Sequence, residues 1–184
     1  MRSMGRSFLL VAFLMVTSAG LGSSAGAQQQ AEPISALKGL NSNAPVIVNS
    51  NRIEVQDRVD RAIFSGNVIA TQDQLTLSTE RLTVAYSSSD GIQIDRLDAA
   101  GGVVVRSPSE TARGDFGVYD LDRKLITLVG NVQLQRQGNE VRGNRLTLDL
   151  NTGRAVVDGG PPGVGQNGGR VTGRFTVPQR QNRN

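Results

Sequence analysis

The chain contains no cysteine and no histidine among its 184 residues. Without cysteine the protein cannot be held together by disulfides, so it folds by burial of apolar side chains alone. Without histidine it cannot form Ser-His-Asp or Cys-His catalytic sites, and most zinc sites are excluded as well. No metal cluster is evident, and the phosphate-binding pattern GxxxxGK[ST] is absent, so we expect neither a metal nor a cofactor.

Aromatic residues and net charge are also scarce. Tryptophan is absent, and Tyr86 and Tyr119 are the only tyrosines, which argues against a carbohydrate-binding surface built on aromatic platforms. The chain has 20 basic and 16 acidic residues. Without Arg2 and Arg6, which lie in the N-terminal segment discussed next, the balance is 18 − 16 = +2. That charge is too small to indicate nucleic-acid binding.

The only long apolar run lies near the N-terminus and indicates export. Arg2 and Arg6 precede the sequence FLLVAFLMV at 8–16, and Ala25 and Ala27 form an A-x-A pattern. This arrangement is typical of a cleavable secretory signal peptide, and the run is shorter than the about 20 residues that span a bilayer. An uncleaved membrane anchor is the alternative. We predict a signal peptide at 1–27, a polar linker at 28–44, one folded domain at 45–178 and a disordered tail at 179–184.

From Pro45 onward the chain has the pattern of β-strands. Apolar residues, mostly Val, Ile and Leu, recur at every second position in segments such as QLTLSTERLTVAY and KLITLVGNVQLQR. Turn signals such as SDG, QGN and NTG separate the segments. No segment of the predicted domain keeps a 3.6-residue period for three turns, so the pattern predicts an all-β domain of antiparallel strands.

A unit of about 29 residues recurs about four times. Segments with one alternating pattern begin at residues 50, 79, 114, 143 and 172, in steps of 29, 35, 29 and 29. Glycines keep the same spacing 13 residues before four of these segments, at Gly66, Gly101, Gly130 and Gly159. Glycine inside a long strand marks a bulge or bend, and Gly-Asn tolerates positive φ. We therefore predict that Gly66, Gly101 and Gly130 lie in register in a repeating sheet, where each strand bends.

Alternation assigns one side of every strand to the interior of the domain. The residues on this side are mostly aliphatic, and they either fill the core between two sheets or line a groove that accepts hydrocarbon; periodicity does not separate these two uses. The opposite side, to which alternation assigns Thr79, carries arginines, which either keep the sheet soluble or meet anionic headgroups. The candidate groove residues on the interior side are Ile53, Val55, Phe64, Val68, Leu82, Val84, Tyr86, Val103, Val105, Tyr119, Leu121, Leu128, Val132, Leu134, Leu146, Leu148 and Leu150.

Three segments together resemble a known family. They run from VIVNSNRIEVQD to LTVAY, from ARGDFGVYDLDRKLITLVGNV to LTLDL, and over RVTGRFTVPQ. They are similar to the OstA-like family, which includes the periplasmic lipopolysaccharide-transport protein LptA, its inner-membrane-anchored partner LptC and the N-terminal part of the outer-membrane receiver LptD. The resemblance implies a V-shaped β-jelly roll of slightly twisted antiparallel strands whose interior holds the acyl chains of lipopolysaccharide.

The resemblance also implies a place and partners. We expect a non-enzymatic periplasmic bridge that joins head to tail, through exposed edge strands, with copies of itself, an LptC-like domain and the N-terminal domain of an LptD-like receiver. Val46, Val48, Tyr119 and Leu121 match positions that line the family's groove. Gly117 stands where the family often has a bulky residue, so we expect the groove to be widened, or a gap to be left, at that point.

Two other classes of function stay open at the level of the sequence. One is an exported structural or adhesive β-repeat protein with a filled core. The other is a glycoside hydrolase, since paired carboxylates are the usual catalytic groups of that class. The acids available for it fall at turns or on the outward side; they are Asp115, Asp120, Asp122, Asp149 and Asp158.

Overall fold

The computed structural model describes residues 40–88, 91–160 and 169–177. The strands are β1 (Ile47–Asn49), β2 (Arg52–Gln56), β3 (Arg61–Gln72), β4 (Leu75–Ser87), β5 (Gln93–Arg106), β6 (Glu110–Asp120), β7 (Leu125–Arg136), β8 (Asn139–Asp149), β9 (Arg154–Asp158) and β10 (Thr172–Arg174). A short 3-10 helix, Asp57–Val59, joins β2 to β3. The all-β prediction is therefore confirmed. The predicted signal peptide, the linker up to residue 39 and the tail at 179–184 lie outside the described residues.

All ten strands belong to one antiparallel sheet with the order β1-β3-β4-β5-β6-β7-β8-β10. Consecutive long strands pair with each other because short turns connect them. β1 and β2 pair with the two ends of the free side of β3, and β10 and β9 do the same on β8. Both edges of the sheet are thus formed by broken strands of three to five residues. In the described part of the chain, no helix is long and apolar enough to cross a membrane.

A row of bulges crosses the sheet at the Gly-Asn positions. Gly66-Asn67 on β3, Gly101-Gly102 on β5 and Gly130-Asn131 on β7 each place two residues opposite one residue of a neighbouring strand. All six residues have positive φ, from 46° to 90°. Glycine adopts this left-handed conformation freely and asparagine adopts it more easily than other side chains do. The prediction that these glycines form bulges in register is confirmed by the pairing.

The bulge row divides each long strand into two halves, which form two arms of the sheet. Arm 1 consists of residues 61–65, 81–87, 93–100, 116–120, 125–129 and 145–149, with β2 and β9 at its edges. Arm 2 consists of residues 68–72, 75–79, 103–106, 110–114, 132–136 and 139–143, with β1 and β10 at its edges.

The two arms fold over and face each other. Tyr119 of arm 1 is in register with Ala62, through Leu97 and Val84. In a flat sheet, the ten residues from Ala62 to Gln72 would keep Tyr119 about 30 Å from Gln72, at about 3.3 Å per residue. Instead the Tyr119 hydroxyl donates a hydrogen bond to Gln72 Oε1 at 2.9 Å. The sheet is therefore bent at the bulge row, and this agrees with a V-shaped β-jelly roll.

The bulges also change which residues of a strand face inward. In β4 the buried residues are Leu75, Leu77 and Thr79 before the bulge row, and Leu82 and Val84 after it. Alternation continued back from Leu82 places Thr79 on the outward side, and this assignment is wrong. Thr79 is buried, and its hydroxyl donates to the Ala100 carbonyl at 2.8 Å. The strand changes phase because Glu80 and Arg81, two consecutive residues, both point outward.

Candidate functional site

Three rows of apolar residues run across the interior face of the sheet from one edge to the other. Each row is a chain of directly paired residues, which therefore share one face. In arm 1 they are Ile53, Phe64, Leu82, Ala99, Gly117, Leu128, Leu146 and Val157, and then Val55, Ala62, Val84, Leu97, Tyr119, Ile126, Leu148 and Ala155. In arm 2 they are Val48, Ala70, Leu77, Val105, Ala112, Leu134, Val141 and Gly173.

In the two rows of arm 1, the side chains in the middle of the sheet are buried, whereas those at the N-terminal edge are exposed to solvent. Leu82, Leu128 and Leu146 are 0% exposed, whereas Ile53 and Val55 on edge strand β2 are 54% and 56% exposed. The two edge residues lie on the same face as the core because they pair with Phe64 and Ala62. Apolar side chains on an uncovered edge strand mark a surface that another strand or domain can cover.

The candidate groove residues all lie on this interior face or pack against it. Eleven are buried: Val68, Leu82, Val84, Val103, Val105, Tyr119, Leu128, Val132, Leu146, Leu148 and Leu150. Six are half-buried: Val46, Val48, Phe64, Tyr86, Leu121 and Leu134. Ile53 and Val55 are the exposed pair. Their contact with a lipid stays a prediction.

Sequence reasoning missed part of the interior face. The additional buried residues include Ala70, Leu75, Leu77, Leu97, Ala99, Ala112 and Ile126. Leu97 with Ala99, and Ile126 with Leu128, alternate in the sequence and could have been found by that signal. Leu75 and Leu77 could not be found by extending the phase of Leu82, because the bulge row reverses the phase of β4.

The arms are in contact where their outer ends meet. A pocket of about 20 Å³ lies between them and is lined mainly by apolar side chains, among them Leu77, Val105, Leu97 and Ile126. This is room for about one water molecule. A ligand as wide as a hydrocarbon chain would fit in this part of the interior only if the two arms moved apart.

A polar bridge joins the arms beside this pocket. Tyr119 and Gln72 are both buried, and their side chains are hydrogen-bonded to each other. Burial raises the pKa of the Tyr119 hydroxyl above its ordinary value. The hydroxyl therefore keeps its proton at neutral pH and can donate the hydrogen bond to Gln72. Sequence reasoning included Tyr119 but missed Gln72, whose partner is 47 residues away in the chain.

Gly117 neither widens the interior nor leaves a gap, contrary to expectation. A Cβ atom at this position would lie 2.9 Å from Leu128 Cδ2 and 3.1 Å from Val103 Cγ1. Leu128 belongs to arm 1 and Val103 to arm 2, so both arms fill the space that a larger side chain would occupy.

The close contact at Gly117 leads us to expect that a larger side chain there destabilises the domain. We expect Gly117→Ala to lower the free energy of unfolding by about 1–3 kcal/mol, because an added methyl group overpacks a filled site. Denaturant unfolding followed by circular dichroism measures this change. Adding Leu128→Val should recover part of the loss by removing the methyl group nearest to the new Cβ. A neutral Gly117→Ala would show that the interior is open at this point.

Three of the five acids considered for catalysis, Asp120, Asp149 and Asp158, serve turns and ion pairs instead. Asp120 accepts a hydrogen bond from the backbone of Arg123 at 2.9 Å. Hydrogen bonds from Thr152 and then Asn151 lower the pKa of Asp149, and the bond from Arg145 lowers the pKa of Asp158. A general acid needs the opposite shift. Among the described residues, no group of acids is arranged to hold a metal ion.

A family model matches more than half of the chain, and two uncharacterized proteins are similar to it. The model of the family described as LptA/(LptD N-terminal domain) LPS transport protein matches residues 47–154. An uncharacterized protein of Rhizobium meliloti (strain 1021) is 30% identical over 161 residues, which are 82% of this chain and 86% of that protein. One from Rickettsia prowazekii (strain Madrid E) is 29% identical over 102 residues, 54% of this chain and 70% of that protein.

A solved structure has the same fold. The crystal structure of LptH from Pseudomonas aeruginosa, described as the LptA homologous periplasmic component of the conserved lipopolysaccharide transport device, matches with a TM-score of 0.65. The match covers 74% of this chain and 98% of that one, at 15% sequence identity. The likeness is therefore one of fold.

Proposed function

Because the chain belongs to the LptA/LptD N-terminal domain family of lipopolysaccharide transport proteins, we propose that it is a periplasmic bridge that carries lipopolysaccharide between the inner and outer membranes. Its family is one of transport proteins, not enzymes. In this proposal the acyl chains lie between the two arms, and the sugar headgroup stays in water.

The continuity of the apolar rows is the observation that supports the proposal most. Each row crosses the whole sheet in register, from β1 or β2 to β9 or β10. A transported acyl chain needs an uninterrupted apolar path, because each methylene exposed to water costs about 0.8 kcal/mol. Rows that ended inside the sheet would enclose a core but would offer no path onward to a second molecule.

The open edges of the sheet supply the proposed means of assembly. The N-terminal edge formed by β1 and β2 and the C-terminal edge formed by β9 and β10 leave one side of each strand without a backbone partner in the described structure. Pairing of one molecule's N-terminal edge with the next molecule's C-terminal edge continues both the sheet and its apolar rows. Such a head-to-tail contact builds a chain of domains instead of a closed ring. The proposed partners are further copies, an LptC-like domain and the N-terminal domain of an LptD-like receiver.

Neighbouring residues of β2 provide a sharp test of the groove. Val55 and Glu54 are both exposed, but they point to opposite faces of the same strand. A photo-crosslinking amino acid at Val55 is expected to capture lipopolysaccharide in growing cells, and one at Glu54 is not. Because both positions are exposed, neither substitution disturbs the core. Equal capture at the two positions would contradict the assignment of the interior face.

The closed interior is the one observation that favours the alternative, an exported structural β-repeat protein with a filled core. Depleting the protein distinguishes the two functions directly. A transport bridge is expected to leave newly made lipopolysaccharide in the inner membrane when it is depleted, as measured by membrane fractionation after pulse labelling. Normal delivery to the outer membrane in depleted cells would support the structural role.

A further inference from the structure

Residues 40–44 form a strap that spans the opening between the two arms. Predicted from the sequence to belong to a linker before the domain, these residues are instead hydrogen-bonded to the sheet. At arm 2, the backbone N–H of Asn41 donates to Asp73 Oδ2 at 2.9 Å. At arm 1, Lys124 Nζ, in the turn between β6 and β7, donates to Asn43 Oδ1 at 3.2 Å. The strap is thus attached to both arms at their outer ends.

Gln72 connects this strap to the bridge between the arms. Its side-chain nitrogen donates to the carbonyl oxygens of Ser42, at 2.9 Å, and Ala44, at 3.0 Å. Its side-chain oxygen accepts the hydrogen bond from Tyr119. Both amide hydrogens and the oxygen are therefore used, and the residue is only 7% exposed. A single buried amide holds the strap and the facing arm in one arrangement.

Apolar contacts continue the closure on both sides of the strap. Leu40, the first residue of the strap, and Val46, just after its last residue, pack against the buried core. Val46, Gln72 and Tyr119 all line the pocket of about 20 Å³ between the arms. The strap, the bridge and the narrow pocket therefore occupy one place, at the outer end of the interior.

We infer that residues 40–44, held by Gln72 and Tyr119, are a latch that closes the opening between the arms, and that an acyl chain enters this end of the interior by displacing it. The inference rests on the proposed function and identifies the residues that control entry. The latched arrangement competes with the lipid for the same space. The apparent dissociation constant of the lipid therefore equals its dissociation constant for the unlatched protein, divided by the fraction of molecules that are unlatched.

Loosening the latch is therefore expected to strengthen lipid binding. A neutral hydrogen bond of the Tyr119–Gln72 kind shifts a two-state equilibrium by about 2–10-fold. In the full mature chain, Tyr119→Phe should lower the dissociation constant of a fluorescent fatty acid by that factor and speed its association. Ser87→Ala is the control, because it also removes one side-chain hydrogen bond, from Ser87 Oγ to Asp95 Oδ1 at 3.2 Å, at a position outside the candidate groove residues. A purely structural role for Tyr119 would instead leave the affinity equal or weaker, with a lower melting temperature.

Fastening the latch should have the opposite effect. Asn43→Cys with Lys124→Cys introduces the only two cysteines of the chain, so a short bis-maleimide links the strap to arm 1 specifically. The linked protein is expected to bind the fluorescent fatty acid at least about 10-fold more weakly than the same variant capped with a monofunctional maleimide.

The outcomes separate the latch from the proposed function. If the wild-type chain binds the fatty acid and neither Tyr119→Phe nor the cross-link changes its affinity, the latch is wrong and the lipid-carrying function stands. If the folded wild-type chain and the folded Tyr119→Phe variant both fail to bind it, the lipid-carrying function falls, and the latch falls with it.

Discussion

Replacing Ile53 and Val55 together with glutamate is expected to abolish head-to-tail assembly while the domain stays folded. Both side chains are more than half exposed. The substitutions therefore change the free energy of unfolding of the isolated domain by no more than about 0.5 kcal/mol per residue, as is usual for surface positions. In an assembled chain the same residues would continue the apolar rows into the next molecule. Burying the exposed part of each side chain in the contact would contribute about 1–1.5 kcal/mol to the free energy of association. Losing both contributions weakens association by about 100-fold. Buried carboxylates add a further penalty.

Sedimentation equilibrium of the purified protein measures this loss of association, and rescue of depleted cells measures its consequence for transport. The matched control is Arg52→Gln with Glu54→Gln, on the same strand but on its outward face. These two residues form an exposed ion pair at 3.5 Å, which contributes little to stability. We expect the control variant to assemble and to support growth. Normal assembly of the Ile53→Glu, Val55→Glu variant would show that the N-terminal edge is not the contact surface.

Gly101→Val is expected to lower the free energy of unfolding by about 3–5 kcal/mol, the largest loss of stability that we predict. Gly101 has a φ of +90°, a conformation that costs a β-branched residue about 1–3 kcal/mol. A Cβ atom there would also lie 2.9 Å from the Cβ of Glu80, closer than real side chains approach. Relieving this clash requires the two strands to separate at the bulge row, at a further cost of about 1–3 kcal/mol.

Substitution of the next residue, Gly102, separates the cost of the backbone conformation from the cost of the clash. Gly102 also has positive φ, at +79°, but a Cβ atom there would meet nothing within 4 Å. Gly102→Ala should therefore show the conformational cost alone, about 1 kcal/mol. Chemical denaturation monitored by circular dichroism gives both values. Equal losses for Gly101→Val and Gly102→Ala would mean that packing at the bulge row is loose and does not hold the bend.

The repeat and its glycines could be predicted because they depend on local chemistry. Positive φ at Gly66, Gly101 and Gly130 is a property of a few neighbouring residues, and the dipeptides Gly-Asn and Gly-Gly indicate it directly. The interior face could be predicted within each half-strand for the same reason, since side chains alternate strictly along an extended chain. The prediction failed at Thr79, where an irregularity between two halves of a strand reverses the alternation.

Exposure along the interior face could not be predicted. Ile53 and Leu82 occupy equivalent places in the repeat and face the same side of the sheet. Leu82 is fully buried and Ile53 is 54% exposed, because β4 has neighbours on both sides and β2 is an edge. A sequence pattern states which way a side chain points, but what covers it depends on the strands that lie beside it.

The sequence by itself determined an all-β repeat, the positions of its bulges and the apolar character of one face, since each of these follows from interactions within a few residues. Only the tertiary structure decided that the sheet folds over on itself, that Gln72 meets Tyr119 across the opening, and that residues 40–44 belong to the fold. These contacts join residues about 30 to 80 positions apart. No local preference encodes them, because they form only when the bend at the bulge row brings the two arms together.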